Sequence, residues 1–204
     1  MNILEKLYKE LKNKYGLPRG QWKLWCKRPK TKREREEVII GSVLTQRTNW
    51  KNVEMALDNL RKARADSLEA IHCLGKRKLA PLIRPSGFYQ AKADCLLGLA
   101  SFILEGCQGP GKMKKSDWKK LREQLLELKG IGPETADSIL LYALDKPSFV
   151  VDEYTRRLVE KRGLAKDLSY ASLQKMFEEN LRRDFRLYQD FHALVVIDGK
   201  NQTR

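Results

Sequence analysis

Cysteine is scarce in this chain and poorly spaced for chemistry. The 204 residues include four, Cys26, Cys73, Cys95 and Cys107, with none in a C-x-x-C pair. That spacing gives neither a zinc site nor a disulfide framework, so buried or partly buried thiols are expected. Histidine is scarcer still. His72 and His192 stand alone, which excludes a His-rich metal set and a Ser/His/Asp order. His192 follows a helical apolar run and reads as structural. No apolar stretch reaches the roughly 20 residues a membrane-spanning helix needs. The opening Met1-Asn2-Ile3-Leu4-Glu5-Lys6 reads as the start of an amphipathic helix, not as a signal peptide. Strand-like alternation is missing too, since 148–151 is too short to count. Acidic charge is in deficit: Asp and Glu number 26 against 41 Lys and Arg, for a net charge of +15. Such an excess favours a polyanionic partner, nucleic acid first, although a merely basic soluble protein would share it. A cytoplasmic, nucleoid-associated protein without a membrane partner is the expectation.

What is present is helical periodicity. Ile3, Leu4, Leu7, Tyr8 and Leu11 form one apolar face, broken by Gly16-Leu17-Pro18-Arg19-Gly20. Trp22 and Trp25 fall in a basic connection. Helices are then predicted over about 33–44, 50–63, 67–73, 76–83 and 89–104, with a turn at Arg84-Pro85-Ser86-Gly87. Ser116 is the expected N-cap of the next helix. Helices near 133–143, 170–181 and 185–196 and one opened by Asp152 complete an all-α chain, long enough for one large domain or two small lobes.

The densest signal is Leu128-Lys129-Gly130-Ile131-Gly132-Pro133-Glu134-Thr135-Ala136, followed by Val150-Val151-Asp152. Leu121, Leu125 and Leu128 mark a helix that stops at glycines. A second helix starts at Pro133, where the missing N–H costs little. Backbone N–H groups left bare at a helix N-terminus suit a phosphate. Gly130, Ile131, Gly132 and Thr135 are therefore candidate DNA-backbone contacts, against the plainer reading of a glycine-rich connection with no ligand.

On these residues the chain resembles the HhH-GPD superfamily of DNA base-excision glycosylases, the endonuclease III-like enzymes. The likeness covers roughly 35–200. It implies a two-lobed helical fold with lobes 1–34 plus 148–204 and 35–147, a helix-hairpin-helix at 116–145, and an active site in the cleft between lobes. It implies double-stranded DNA with a damaged base as partner of a monomeric protein, and a monovalent cation (Na+ or K+) at the carbonyls of Lys129 and Ile131. Many relatives carry a four-cysteine iron–sulfur loop at the C-terminus. No cysteine follows Cys107 here, so no cluster is expected.

Asp152 matches the family's aspartate that stabilises the cationic sugar of the transition state. A plain N-cap aspartate is the alternative, and the two roles can coexist. Glu134 takes the position where relatives that also cut the backbone carry a Schiff-base lysine. A glutamate cannot do that, so lysine-dependent lyase activity is not expected. Glu134 is a candidate catalytic residue, or an ordinary first-turn glutamate. Gln46 resembles the residue that fills the hole left by a flipped nucleotide, and Phe88 the wedge into the opposite strand. An exposed helix-end glutamine and a core phenylalanine are the plain readings. Trp22, Trp25 and Trp50 are candidates for a base pocket or for core. The lysines of 112–120 suit phosphate contacts or a solvated face equally.

Glu134, the segment Arg84-Pro85-Ser86-Gly87-Phe88-Tyr89 and the lack of a cluster look most like 3-methyladenine DNA glycosylases of the endonuclease III type. One departure is Leu194, which aligns near a functionally modified lysine of that group. Thymine or uracil opposite guanine is the alternative lesion. A non-catalytic damage-binding protein and a lyase acting through another amine are the remaining function classes.

Overall fold

The structure is a computed structural model, and residues 1–202 are described. Twelve helices follow one another: α1 (Ile3–Tyr15), α2 (Trp22–Trp25), α3 (Lys32–Leu44), α4 (Trp50–Lys62), α5 (Leu68–Leu82), α6 (Tyr89–Ser101), α7 (Pro110–Met113), α8 (Trp118–Glu127), α9 (Pro133–Ser138), α10 (Glu153–Lys161), α11 (Tyr170–Asn180) and α12 (Phe185–Gln202). No strand occurs among the described residues. The caps follow from sequence. Asn2 and Thr31 each close a capping box, with Glu5 and Glu34 respectively. Asn49, Ser67, Asp152 and Ser169 each accept from the third backbone N–H that follows them.

The chain divides into two compact units, one formed by Met1–Arg28 with the chain from Asp145 onward, the other by Pro29–Leu144. In the Pro29–Leu144 unit α3 is the axial element. Val38, Ile39, Ile40, Val43 and Leu44 are all fully buried, so the C-terminal half of the helix is apolar on every side. It is packed against α4, α6, α7, α9 and the π-helical turn 139–143 that extends α9. In the other unit α1 lies on α12 through Leu4, Leu7 and Leu11. Phe149 stacks on Phe177 at 4.1 Å between centroids, and meets Tyr188 and Phe191 edge-on.

Several expectations are corrected. Trp22 and Trp25 lie in a helical turn, not in an irregular connection. Asp117, next to Ser116, caps α8 by accepting from the Lys119 N–H. The two predicted helices 67–73 and 76–83 are both present within α5, separated by Gly75 at φ +71. The end of α12 lies beyond Val196 because the buried Asp198 is satisfied there by Tyr15 Oη at 2.7 Å and Lys14 Nζ at 3.0 Å. The partners come from α1, so the apolar pattern of α12 alone stops too early.

Gly199 is where α12 meets α10. A Cβ on it would run into the Tyr154 ring. Alanine is worth about 1 kcal/mol over glycine in an open helix. Here overpacking opposes that gain by about 1–3 kcal/mol. Gly199→Ala is therefore expected to lower the melting temperature in thermal denaturation, and Tyr154→Ala in the same chain to reverse the sign. A stabilising Gly199→Ala alone would contradict this packing.

Candidate active site and DNA-binding hairpin

The hairpin is built inside the Pro29–Leu144 unit. After α8 the chain turns with Gly130 at φ +88, a conformation that favours glycine. Space demands glycine as well, because an added Cβ would sit 3.2 Å from Cys95 Cβ. The Ile131 side chain is buried and its N–H donates to the Leu128 carbonyl at 3.0 Å. The Ile131 amide is therefore consumed within the turn and corrects the expectation that it faces a phosphate. Gly132 is the N-cap of α9, and Pro133 its first residue. Glu134 is exposed in the first turn.

A pair of helices needs more than a turn to hold its angle. Arg122 on α8 grips Asp137 on α9 with two bonds, Nε to Oδ1 at 2.7 Å and Nη2 to Oδ2 at 2.8 Å. Asp137 is fully buried. Bidentate pairing of this kind fixes direction as well as distance.

The hairpin is also tied to the end of α3. Gln46 Nε2 donates to the Gly130 carbonyl at 3.0 Å and to Thr135 Oγ1 at 2.9 Å. Thr135 is buried, so its side chain is turned inward to Gln46 instead of outward. Phe88 is no core residue: it is 65% exposed, in the left-handed region at φ 47, directly after Gly87 at φ 71. Trp50 begins α4 in this same unit. Lys112, Lys115, Lys119 and Lys120 are exposed around the start of α8.

Asp152 belongs to the other unit. The extended Phe149, Val150 and Val151 are buried and deliver it to the start of α10. Phe149 is pinned at both backbone groups: its N–H donates to Glu178 Oε1 at 2.8 Å and its carbonyl accepts from Gln174 Nε2 at 2.8 Å. Asp152 Oδ1 accepts from the Thr155 N–H at 2.8 Å and the Thr155 hydroxyl at 2.9 Å. Its Oδ2 lies 3.5 Å from His192 Nε2, and 14% of its side chain is exposed. Burial pushes the Asp152 carboxyl upward, but the facing His192 and the two Thr155 bonds outweigh it and hold the group below the ordinary aspartate value.

Trp22 stands edge-on to His192 at 5.8 Å, and Trp25 edge-on to Trp22 at 5.8 Å. Both are buried. Lys200 completes the cluster. Burial lowers its affinity for a proton while the charge of Asp152 raises it, and the ammonium donates to Gln21 Oε1 at 3.1 Å. Sequence reasoning missed His192 and Lys200 as neighbours of the carboxylate. Their separation of two helical turns, which puts both on one face of α12, was the available signal. Leu194 is fully buried in the core.

A local chemistry of this kind, a held carboxylate in one unit and a glycine hairpin in the other, has relatives. The sequence pattern of HhH-GPD superfamily base excision DNA repair proteins matches residues 40–183. The chain belongs to this superfamily. A protein of Methanocaldococcus jannaschii, provisionally named a DNA repair glycosylase, is 42% identical over 199 residues, covering 95% of this chain and 86% of the relative. The endonuclease III of Thermotoga maritima is 30% identical over 153 residues, with 71% and 66% covered. Among solved structures, the H. pylori 3-methyladenine DNA glycosylase MagIII bound to 1,N6-ethenoadenine superposes with a TM-score of 0.83 at 32% identity, covering 98% of each chain. A trapped endonuclease III–DNA covalent intermediate shares the fold at a TM-score of 0.76 and 17% identity, with 100% of this chain and 89% of that one covered. The protein is thus a DNA glycosylase of the HhH-GPD base excision repair family, with DNA as its partner.

Removing Arg122 takes from the buried Asp137 its bidentate partner. Arg122→Met is expected to destabilise the protein by about 3–5 kcal/mol in urea unfolding. Replacing both with apolar residues should recover much of that loss. Equal costs for the single and double variants would show that the pair does not act as one.

Proposed function

We propose that this DNA glycosylase is monofunctional and removes an alkylated purine such as 3-methyladenine from a flipped nucleotide. The observation that carries this reading is Asp152: a carboxylate of low exposure, kept ionised by Thr155 and by His192, which packs edge-on to Trp22. The likeness to a 3-methyladenine glycosylase over the whole chain supports the choice of lesion.

The chemistry fits the groups present. An N3- or N7-alkylated purine is already cationic, so the N-glycosidic bond breaks with its electron pair going to the base and no general acid is needed. Positive charge then builds on the sugar. A fixed carboxylate stabilises it, with no reorganisation at the moment of reaction. The same oxygen can accept a hydrogen bond from the water that adds to C1′ and then loses a proton to solvent. Trp22 supplies a π-face for which a cationic base is the better guest. Gln46 and Phe88 are assigned to the gap left by the extruded nucleotide and to the opposite strand, and the hairpin amides of Gly130 and Gly132 to a phosphate. Glu134, lacking an amine, is assigned no covalent step.

Lys200 favours one second reading. Its amine is near Asp152 and its proton affinity is lowered by burial. Attack of that amine on C1′ of an abasic site, with loss of water, would give a Schiff base. Borohydride reduction on abasic DNA separates the two: the monofunctional reading predicts no covalent adduct, and an adduct lost in Lys200→Met would establish the lyase.

Excision itself is tested with methylated duplex DNA and with duplexes holding uracil or thymine opposite guanine. Release of methylated purines is expected, reduced at least about 100-fold in Asp152→Asn, with duplex affinity nearly unchanged. Release of pyrimidines alone would move the protein to mismatch repair. Binding without release would make it a damage-binding protein.

The pH profile gives a further check. Asp152 must be ionised, and its folded value is depressed, so activity should persist as pH falls until that low value is crossed. In His192→Gln the largest opposing influence on burial is gone. The acid limb of single-turnover excision is then expected to move to higher pH. An unmoved limb would remove His192 from the account.

A further inference from the structure

Lys92 is a buried lysine that no step above uses. It lies on α6 with 3% exposure. Its ammonium meets carbonyls instead of a carboxylate, donating to Leu44 O at 2.8 Å and Ser86 O at 2.6 Å. Burial pushes it down to about 8, so at neutral pH it is still mostly charged. A buried ammonium without an opposite charge is costly, and a methionine would fill the same space without that cost. The two carbonyls show what the charge is for.

Leu44 is the last residue of α3, and Gln46 follows in the turn beyond it. Carbonyls in the last turn of a helix lack intrahelical partners and sit at the negative end of its dipole. Ser86 closes a short turn and is followed by Gly87 and Phe88, both at positive φ. Ser86 is itself held, its hydroxyl donating to the Ile83 carbonyl at 2.7 Å. One ammonium therefore bolts together the backbone before Gln46 and the backbone before Phe88. From Gln46 the same chain of polar contacts runs on to Gly130 and Thr135 of the hairpin.

We infer that Lys92 is a positioning residue for DNA: it fixes the spacing of Gln46 and Phe88, so that both side chains enter a duplex as one preset tool. This rests on the reading of those two residues as duplex-inserting. A loop fixed in advance pays no ordering cost when it is forced between bases. Without the bolt, the strained Gly87–Phe88 pair would have to be ordered during insertion itself.

The test uses the full chain and a duplex carrying 2-aminopurine beside an abasic analogue, read by stopped-flow fluorescence, with affinity for undamaged duplex and melting temperature measured alongside. Lys92→Met is expected to slow base extrusion by about tenfold while leaving undamaged-duplex affinity within about threefold, because the hairpin grip is intact. In a Gln46→Ala, Phe88→Ala background the same substitution should cost little more, since both groups it positions are gone. Lys92→Gln, which keeps an N–H donor, is run in parallel against poor folding of the methionine variant and is expected to be intermediate. An equal slowing in both backgrounds, or extrusion unchanged while only the melting temperature falls, would overturn this inference and leave the glycosylase reading standing. A wild-type protein that binds the duplex yet never raises the fluorescence would overturn both.

Discussion

A carboxylate of low exposure stays ionised only where its surroundings replace the water it has lost. Asp152 is that case, and much of its unit follows from it. The Thr155 amide and hydroxyl take one oxygen, and the imidazole of His192 faces the other. Each partner has to be delivered from elsewhere in the fold. The start of α10 brings Thr155, α12 brings His192 and Lys200, and α2 closes the cluster with Trp22. The aromatic packing of Phe149 on Phe177 and Phe191 anchors the segment that leads into the aspartate. A negative charge held in place before any substrate arrives costs nothing to orient when positive charge develops on a sugar. The arrangement is therefore preorganised for the chemistry assigned to it.

The other unit handles the opposite problem, holding backbone rather than a charge. Its hairpin takes its turn from glycine and from Pro133, and its rigidity comes from buried polar bonds. Arg122 and Asp137 lock the two helices, Gln46 ties the turn to the end of α3, and Lys92 ties that end to the turn before Phe88. Basic charge and backbone amides grip DNA without reading its sequence. On the function proposed above, selectivity for a lesion falls to the steps after binding, namely extrusion of the base and its fit beside Asp152.

The parts legible in the sequence are those with local causes. Glycine and proline punctuate the hairpin, N-cap residues open most helices, and Asp152 is visible as a cap after a short apolar run. The resemblance carried its role further than periodicity could. What stayed hidden has partners far along the chain. Nothing in the order of residues says that Asp137 meets Arg122, that Lys92 meets two carbonyls, or that Asp198 is buried against Tyr15. Charged residues in a helix read as surface until the neighbouring element is known. His192 follows an apolar helical run and reads as structural until Asp152 is seen to face it. The cap of α8 was displaced by one residue because Ser116 and Asp117 are both good N-caps, and only geometry chooses between them.

Every role assigned to Asp152 requires it to be ionised under the conditions in which the enzyme works. Carboxyl-carbon NMR titration of the aspartate-labelled protein, with Asp152→Asn to assign the resonance, measures this directly. The expected midpoint lies below the ordinary aspartate value of 3.8. A midpoint above it, with the group neutral in mildly acidic solution, would mean that burial wins over His192 and Thr155, and that the carboxylate is not there to meet the developing charge.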